Sequence, residues 1–534
     1  MSPPGAPPLH RRLLTAARRL RGRGRQALKQ GGERAKIAGD FDRDFYLARN
    51  PDVAASGMDP ADHFLRFGWR EGRDPRPDFS VADYLALNPD VAAAGMNPFL
   101  HYVTAGRAEG RSAKSDLGFR YRILAGLKPL DERLAAADAA RFKGEVSGSD
   151  TLRAAIARSR GERLHLSFSH DDYETNVGGL QLCMQREAQA YAAAGVDHLH
   201  VFPAKPYPAL RTGRDAALMG VIWNRELVGY MAPGEVAAAL APRPGGFAIH
   251  SLLGLSVDDV LGILAAAGLS EGVFWLHDFA SLCAGFHLMR DDVADCGAPP
   301  PDSGACSVCV YGEGRALHLS EHGRLFHTLS LKVAAPSQSA LDTWLGGWGH
   351  PHRGAVVVPH ARLIPQDEAL APIEGPLQVA FLGAPVAHKG WPVFQALAER
   401  FAGDPRYAFH HLGAIPGGGT AHGFQEVAVS AARPDAMREA LERIGVEAAV
   451  VWSLCRETFS LTAYEAVAAG AVVLTGPDSG NVAQFVSDQG HGRVLADEAA
   501  LTAMFESGEV IEFARKDRRR YALAFSRMSA ELGV

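Results

Sequence analysis

Two carboxylates, Glu457 and Glu465, bracket a short polar turn near the end of the chain, separated by Thr458, Phe459, Ser460, Leu461, Thr462, Ala463 and Tyr464. The free amides of a helix starting in that turn would make a seat for an anion such as a diphosphate. An acid, an amide nest and a second acid suit a sugar, its phosphates and a ribose, in that order. An ordinary surface helix with a glutamate near its start is the plain alternative.

The elements that would position these groups are local. Ala448–Trp452 is an apolar run of the buried parallel-strand kind, and Ser453–Ser460 is the turn. Leu461, Tyr464, Glu465 and Ala468 have helical spacing, Gly470 ends the helix, and Ala471–Leu474 is the next strand. Ligands of open α/β sheets sit at the carboxyl ends of the strands, where this turn lies.

Similar units are legible upstream. Leu164–Ser169 reads as an alternating strand; Gly178-Gly179 opens a helix, Leu180–Ala194, and would let a phosphate or sugar approach the backbone closely. Strands follow at His198–Phe202, Phe247–His250 and Val273–Leu276, and the last runs into His277-Asp278. A histidine at a strand's carboxyl end faces the cleft, so His277 is a candidate for orienting a sugar hydroxyl, with Asp278 setting its tautomer or holding the loop. A His-Asp pair satisfied in the core is the alternative. Val333–Pro336 and Val356–His360 read as strands, Leu363–Pro376 as a linker, and Leu377–Leu382 and Ala408–Leu412 as strands of a second domain. The Gly-rich run Ile415–Gly419 reads as a surface loop, and Glu512–Leu532 as a charged amphipathic helix.

Four cysteines, Cys283, Cys296, Cys306 and Cys309, cluster after His277. A C-x2-C pair with two more thiols nearby suits a tetrahedral structural zinc, but the irregular spacing leaves free thiols or a disulfide open.

At 534 residues the chain exceeds one growing core, so two or three domains are expected. A net charge of −5 gives no bias toward nucleic acid. No apolar run reaches the ~20 residues of a membrane span, and six cysteines do not make a disulfide scaffold; the cytoplasm is the simplest compartment. Residues 1–36 read as a disordered basic arm with a thin apolar stripe, which could bring the chain to anionic lipid at the inner membrane face.

Between residues 41 and 111 a unit repeats: Phe41 returns as Phe79, 38 positions on. Tyr46/Tyr84, Asn50-Pro51-Asp52-Val53/Asn88-Pro89-Asp90-Val91, His63/His101 and Gly68/Gly106 superpose. Each unit reads as two short helices, the second starting at Pro60 or Pro98 and capped by Gly68 or Gly106. One histidine per unit without cysteine favours packing over metal. Residues 112–162 read as a helical linker.

The words around the two glutamates carry more than their spacing. ETFSLTAYEAVAAGAVVL resembles the Glu-x7-Glu signature of the retaining glycosyltransferases of the group 1 family (family 4), over about two thirds of the chain from Leu164 onward. The resemblance implies a GT-B fold, two facing Rossmann-like domains spanning 163–370 and 376–510, with 511–534 packing back toward the first. It implies a nucleotide-sugar donor, a glycan or glycolipid acceptor and no metal needed for catalysis. Glu457 would face the donor sugar and Glu465 the ribose, and amides around Phe459, Ser460, Leu461 and Thr462 would hold the phosphates. Gly178 and Gly179 would lie beside the diphosphate, and His277 near the sugar. Lys389, in GAPVAHKGW, matches the family's lysine for the donor phosphates, while Ala384 stands where many members carry arginine. His388 could compensate only when protonated. The NPDVA repeats resemble modules attached to bacterial cell-surface glycosyltransferases. A nucleotide-sugar epimerase on the same scaffold, or a non-catalytic sugar-binding subunit, are the alternatives.

Overall fold

The computed structural model describes residues 31–533 apart from 77, 115–118, 213–216, 301–302, 371–372, 420 and 431. Most of the basic arm therefore lies outside the described residues. Its end does not: residues 31–37 are helical, Ile37 is buried, and Arg34 pairs with Asp59 at 2.9 Å, so this part of the arm belongs to the repeat unit. The chain divides into two units, residues 1–125 and 126–534.

In the first unit each repeat has three helical segments rather than two. Arg43–Arg49, Pro51–Ser56 and Pro60–His63 form the first set, and Val81–Leu87, Pro89–Ala93 and Pro98–His101 the second. The Asn-Pro step divides the expected first helix, because the residue before a proline is pushed out of the helical region; Asn50 and Asn88 sit near φ −130°. Gly68 and Gly106 are not left-handed caps. They close π-type turns, Phe64–Gly68 and Tyr102–Gly106, where a tyrosine hydroxyl presses on the backbone: a Cβ on Gly68 would lie 2.1 Å from Tyr46 Oη, and one on Gly106 2.0 Å from Tyr84 Oη. The same hydroxyls bond His63 Nδ1 at 3.0 Å and His101 Nδ1 at 2.8 Å. Arg73 bonds both Asp52 and Asn50, and Arg111 bonds Asp90 and Asn88. These recurring polar residues are thus occupied in holding their own fold.

The second unit contains two α/β domains. The first has the strands Leu164–Phe168 (β1), Asp197–Pro203 (β2), Met219–Trp223 (β3), Glu226–Met231 (β4), Gly245–Ile249 (β5) and Glu271–Trp275 (β6). After the small hairpin Met289–Arg290 (β7) and Ala294–Asp295 (β8) come Ser330–Ala335 (β9) and Ala355–Val357 (β10). The sheet order is β10-β9-β6-β5-β1-β2-β3-β4, parallel except for the β3–β4 edge. The alternation in β1 is not inside against outside: all five residues are buried, as expected of a strand covered on both faces. Ser149–Ala157, expected as linker, is a helix of this domain; Leu152 and Ala155, three apart on one face, join its core.

Ala361–Ala369 (β11) occupies the first half of the stretch expected as a linker. The second domain follows with Leu377–Leu382 (β12), Tyr407–Gly413 (β13), Gly423–Glu426 (β14), Ala448–Val450 (β15), Val472–Thr475 (β16) and Gly492–Val494 (β17), all parallel in the order β14-β13-β12-β15-β16-β17. The expected terminal helix is instead a short helix, Glu509–Arg515, a strand, Arg519–Phe525 (β18), and a 3₁₀ turn, Met528–Glu531. β18 pairs antiparallel with β11, because Tyr521, Leu523 and Phe525 alternate and lay one face on the second domain's core. The turn then seats on the first domain: Met528 is buried beside Cys183 and Trp275, and Trp275 Nε1 donates to Ser529 Oγ at 2.9 Å. Two Rossmann-like domains facing across a cleft make the GT-B arrangement.

Candidate functional site

The cleft between the two domains has a volume of about 630 Å³. Its walls bring together Gly178, Gly179, His277, Lys389, Glu457, Phe459, Ser460, Leu461, Thr462 and Glu465.

Two helices begin at this cleft without a side-chain cap, Gly179–Ala193 (α1) and Leu461–Ala468 (α2). Val257–Ala267, by contrast, is capped by the Ser256 hydroxyl. Uncapped first-turn amides and the dipole behind them favour an anion. The two starts are close neighbours: a Cβ on Gly179 would lie 4.0 Å from Leu461 Cδ1. Ser460, just before α2, has φ 75°, a left-handed conformation that non-glycine residues adopt at a cost and that is concentrated at ligand clamps.

Lys389 lies in the 3₁₀ turn Ala387–Lys389 after β12. The next residue must be glycine, since Gly390 has φ 84° and a Cβ there would lie 2.0 Å from Trp452 O. This turn aims Lys389 Nζ at both Glu457 oxygens, 2.7 and 2.9 Å away. Ser453 Oγ donates to Glu457 Oε1 at 2.6 Å. Burial alone would raise the Glu457 carboxyl, but Lys389 and Ser453 outweigh it and hold it below its ordinary value. The lysine side chain is 41% exposed and the glutamate's 10%, so the cation has room to turn toward a ligand while the acid stays fixed.

Glu465 behaves differently. It is 5% exposed, and burial pushes its carboxyl up to about 8, with Arg186 offsetting only part. His388 adds no positive charge, because burial and then Lys389 push it down to about 4. Ala384 also lines the cleft, so Lys389 and the amides carry the positive potential alone on this wall.

His277 lies at the cleft edge, stacked between Trp275 and His360 at 5.4 and 5.0 Å. Asp278 does not set its tautomer. Its oxygens accept from the Ala280 amide at 2.9 Å and the Ser251 hydroxyl at 3.3 Å, holding the loop. The tautomer is set from behind: His277 Nε2 meets His250 Nδ1 at 2.9 Å, and His250 Nε2 meets Glu187 Oε1 at 3.0 Å. Glu187 Oε2 accepts the Ser529 amide at 2.8 Å. Glu187 is held well below its usual range; burial opposes this, and His250 and His165 outweigh it. An ionised Glu187 accepts a hydrogen bond from His250 Nε2–H, and His250 Nδ1 in turn accepts one from His277 Nε2–H. That leaves a lone pair on His277 Nδ1, an acceptor for a hydroxyl.

Sequence reasoning missed Glu187, His250, Ser453 and the residues that join the domains. His250 follows β5 much as His277 follows β6, and Glu187 follows the buried Cys183 by one helical turn; those were the available signals. Thr458 Oγ1 donates to His277 O at 3.0 Å, Ser337 Oγ donates to Thr458 O at 2.7 Å, and Arg456 grips Asp295 with two bonds of 2.7 Å.

No protein family model matches the chain, and no curated protein matches it. Solved structures similar to it include Anabaena HepE in complex with UDP-glucose, at 12% identity over 66% of this chain and 93% of that one, TM-score 0.41. An α,α-trehalose-phosphate synthase (UDP-forming) from Burkholderia vietnamiensis is 13% identical over 67% and 93%, TM-score 0.39. WaaG, a glycosyltransferase involved in lipopolysaccharide biosynthesis, is 12% identical over 66% and 94%, TM-score 0.36.

Proposed function

We propose that the chain transfers a glycosyl group, with retention, from a nucleotide-sugar donor to a glycan or glycolipid acceptor in cell-surface polysaccharide synthesis. One observation carries the reading: a single cleft joins the Glu457–Lys389 pair, the uncapped start of α2 and Glu465. The diphosphate sits on the amides of Phe459, Ser460, Leu461 and Thr462. Lys389 swings from Glu457 to the phosphates, and Glu465 takes the ribose hydroxyls. As the glycosidic bond stretches, charge grows on the leaving diphosphate, and donors fixed in advance at that position lower the barrier most. Glu457 aligns the ring and offsets its growing positive charge. Gly178 and Gly179 bring the start of α1 beside the same diphosphate, and His277 accepts a sugar hydroxyl at Nδ1. The Thr458 bonds to the first domain hold the cleft closed against water. No resident metal is needed for this chemistry. The work is done on the cytoplasmic side, with the basic arm at the inner membrane face.

The test is a panel of UDP-, ADP- and GDP-sugars incubated with glycan and glycolipid acceptors, with nucleotide release and product followed by mass spectrometry. Acceptor-dependent transfer that Glu457→Ala lowers ~10²–10³-fold, with the fold intact by circular dichroism, is expected. An isomerised donor without acceptor would point to the epimerase, and binding without turnover to a sugar-binding subunit.

A further inference from the structure

The stretch from Phe279 to Tyr311 leaves β6 for the helix Gly312–Thr328, with β7 and β8 as its only regular strands among the described residues. Cys283, Cys296, Cys306 and Cys309 line one cavity of about 160 Å³ within it, and all four are free thiols. The amide two residues beyond a cysteine is directed at its sulfur in three cases. Gly285 N donates to Cys283 Sγ at 3.4 Å, and the Ala298 and Tyr311 amides stand in the same relation to Cys296 and Cys309. The Arg315 guanidinium donates to Cys306 Sγ at 2.8 Å. Such donors stabilise a sulfur anion far more than a thiol. The loop also passes through left-handed conformations at Leu288, Asp291, Asp292 and Ala298, strain that persists only where the surroundings over-determine it.

Burial raises the Cys283, Cys296 and Cys309 thiols. A soft dication changes that balance, because a coordinating thiol is deprotonated outright. Among the described residues, the ligand-type trio already within 4.8 Å mutual reach is His165, Glu187 and His198. Glu187 there already accepts from His250 and Ser529. The cysteines stand more widely around their cavity, so a shared ion requires the sulfurs to close in on it.

We propose that Cys283, Cys296, Cys306 and Cys309 hold one zinc ion as thiolates, and that the ion stiffens this loop as a brace for the second domain's catalytic turn. Four S–H bonds give four Zn–S bonds, four protons leave to solvent, and no oxidation state changes. Arg315 offsets part of the resulting negative charge. The brace has two contacts. Asp295, next to Cys296, holds Arg456, which precedes Glu457. His287 stacks on His388, next to Lys389, at 4.6 Å. The metal site stands by itself, whereas its effect on turnover rests on the glycosyltransferase reading.

The full chain, purified without chelator or metal-affinity resin and then incubated with zinc chloride and desalted, is assayed for metal by plasma mass spectrometry. One zinc per chain, released as a mercurial titrates the thiols, supports the site. So does cobalt(II) replacement giving thiolate-to-cobalt charge-transfer absorption. Cys306→Ser/Cys309→Ser should lose the metal, while Cys183→Ser keeps it. If the double variant fails to fold, the cobalt spectrum of the wild-type chain decides instead. Less than a tenth of an equivalent of zinc, or no charge-transfer band, overturns the proposal. Asp295→Ala should keep its zinc and lose roughly tenfold in kcat, about the worth of one exposed-to-buried ion pair; unchanged kcat would remove the brace. Zinc present in a chain that transfers nothing would overturn the functional reading and leave the site standing.

Discussion

Glu465→Gln tests the donor site through its proton. The wild-type carboxyl is 5% exposed and titrates at about 8 because it is buried. At pH 7 it is therefore about nine-tenths protonated, and ionising it costs ~1.4 kcal/mol per unit below its pKa. A ribose diol brings two O–H donors and needs the carboxylate to accept both. Donor binding should then release ~0.9 proton at pH 7, and affinity should rise ~80-fold between pH 6 and 8.5, flattening above 8. Hydrogen bonds to a charged acceptor are worth ~1.5–3 kcal/mol, so Glu465→Gln should bind roughly ten- to a hundredfold more weakly at pH 8.5. Near pH 6, where ionisation costs the wild type ~2.7 kcal/mol, the two should be close. The variant's affinity should be flat with pH. The assay is titration calorimetry with UDP-glucose, ADP-glucose and GDP-mannose in two buffers of different protonation enthalpy; both phosphates of these donors stay ionised throughout. The ligand-free fold gives a second readout. Because the folded state keeps a proton that the unfolded chain sheds near pH 4.5, stability falls as pH rises from there through 8, by roughly 3 kcal/mol at pH 7. Glu465→Gln should melt higher than wild type at pH 8.5. Wild-type binding with no proton release and no pH dependence would refute the reasoning.

Lys389→Ala should lower kcat/KM by about ten- to a hundredfold, the loss of one charge-assisted hydrogen bond to phosphate, read in steady-state transfer with a saturating acceptor. The stability cost should be smaller than for a sealed ion pair, because the lysine is 41% exposed, and thermal melts check this. Burial holds His277 and His198 well below their ordinary range, and His200, His322 and His360 at about 3. The unfolded chain binds more protons below its histidine pKa, so stability is full above ~6.5 and falls with acid, up to ~1.4 kcal/mol per unit for each such histidine. Melting temperatures from pH 7 to 5 should drop accordingly; a flat profile would contradict the burial. ¹⁵N NMR should find His277 protonated at Nε2, and Glu187→Gln should disturb that tautomer. In the repeats, Gly68→Ala places a methyl against Tyr46 Oη and should cost ~1–3 kcal/mol in a thermal melt, with partial rescue by Tyr46→Phe.

The legible parts of the chain were those whose cause is local. The parallel strands are short apolar runs ended by glycine or polar turns, the repeats match themselves, and Glu457, the α2 amides and Glu465 lie within one turn and one helix. Contacts between distant positions carry no such local mark. Arg456 meets Asp295 161 positions away, and Glu187 meets Ser529 342 positions away. Hence the support behind His277 was assigned to its neighbour Asp278 rather than to His250 and Glu187. β18 was hidden because Arg518, Arg519 and Arg520 suggest a charged helix, while the period-two series Tyr521, Leu523, Phe525 makes sense only beside β11. The Asn-Pro break in each repeat was local too, and the restriction on the residue before proline was the cue overlooked.

The most direct measurement is a crystal structure of the full chain soaked with an intact nucleotide sugar. The diphosphate should lie on the amides of Phe459–Thr462 with Lys389 Nζ turned toward it, the ribose on Glu465 and the hexose between Glu457 and His277. A nucleotide bound elsewhere, with Lys389 still closed on Glu457 and the start of α2 facing solvent, would contradict it.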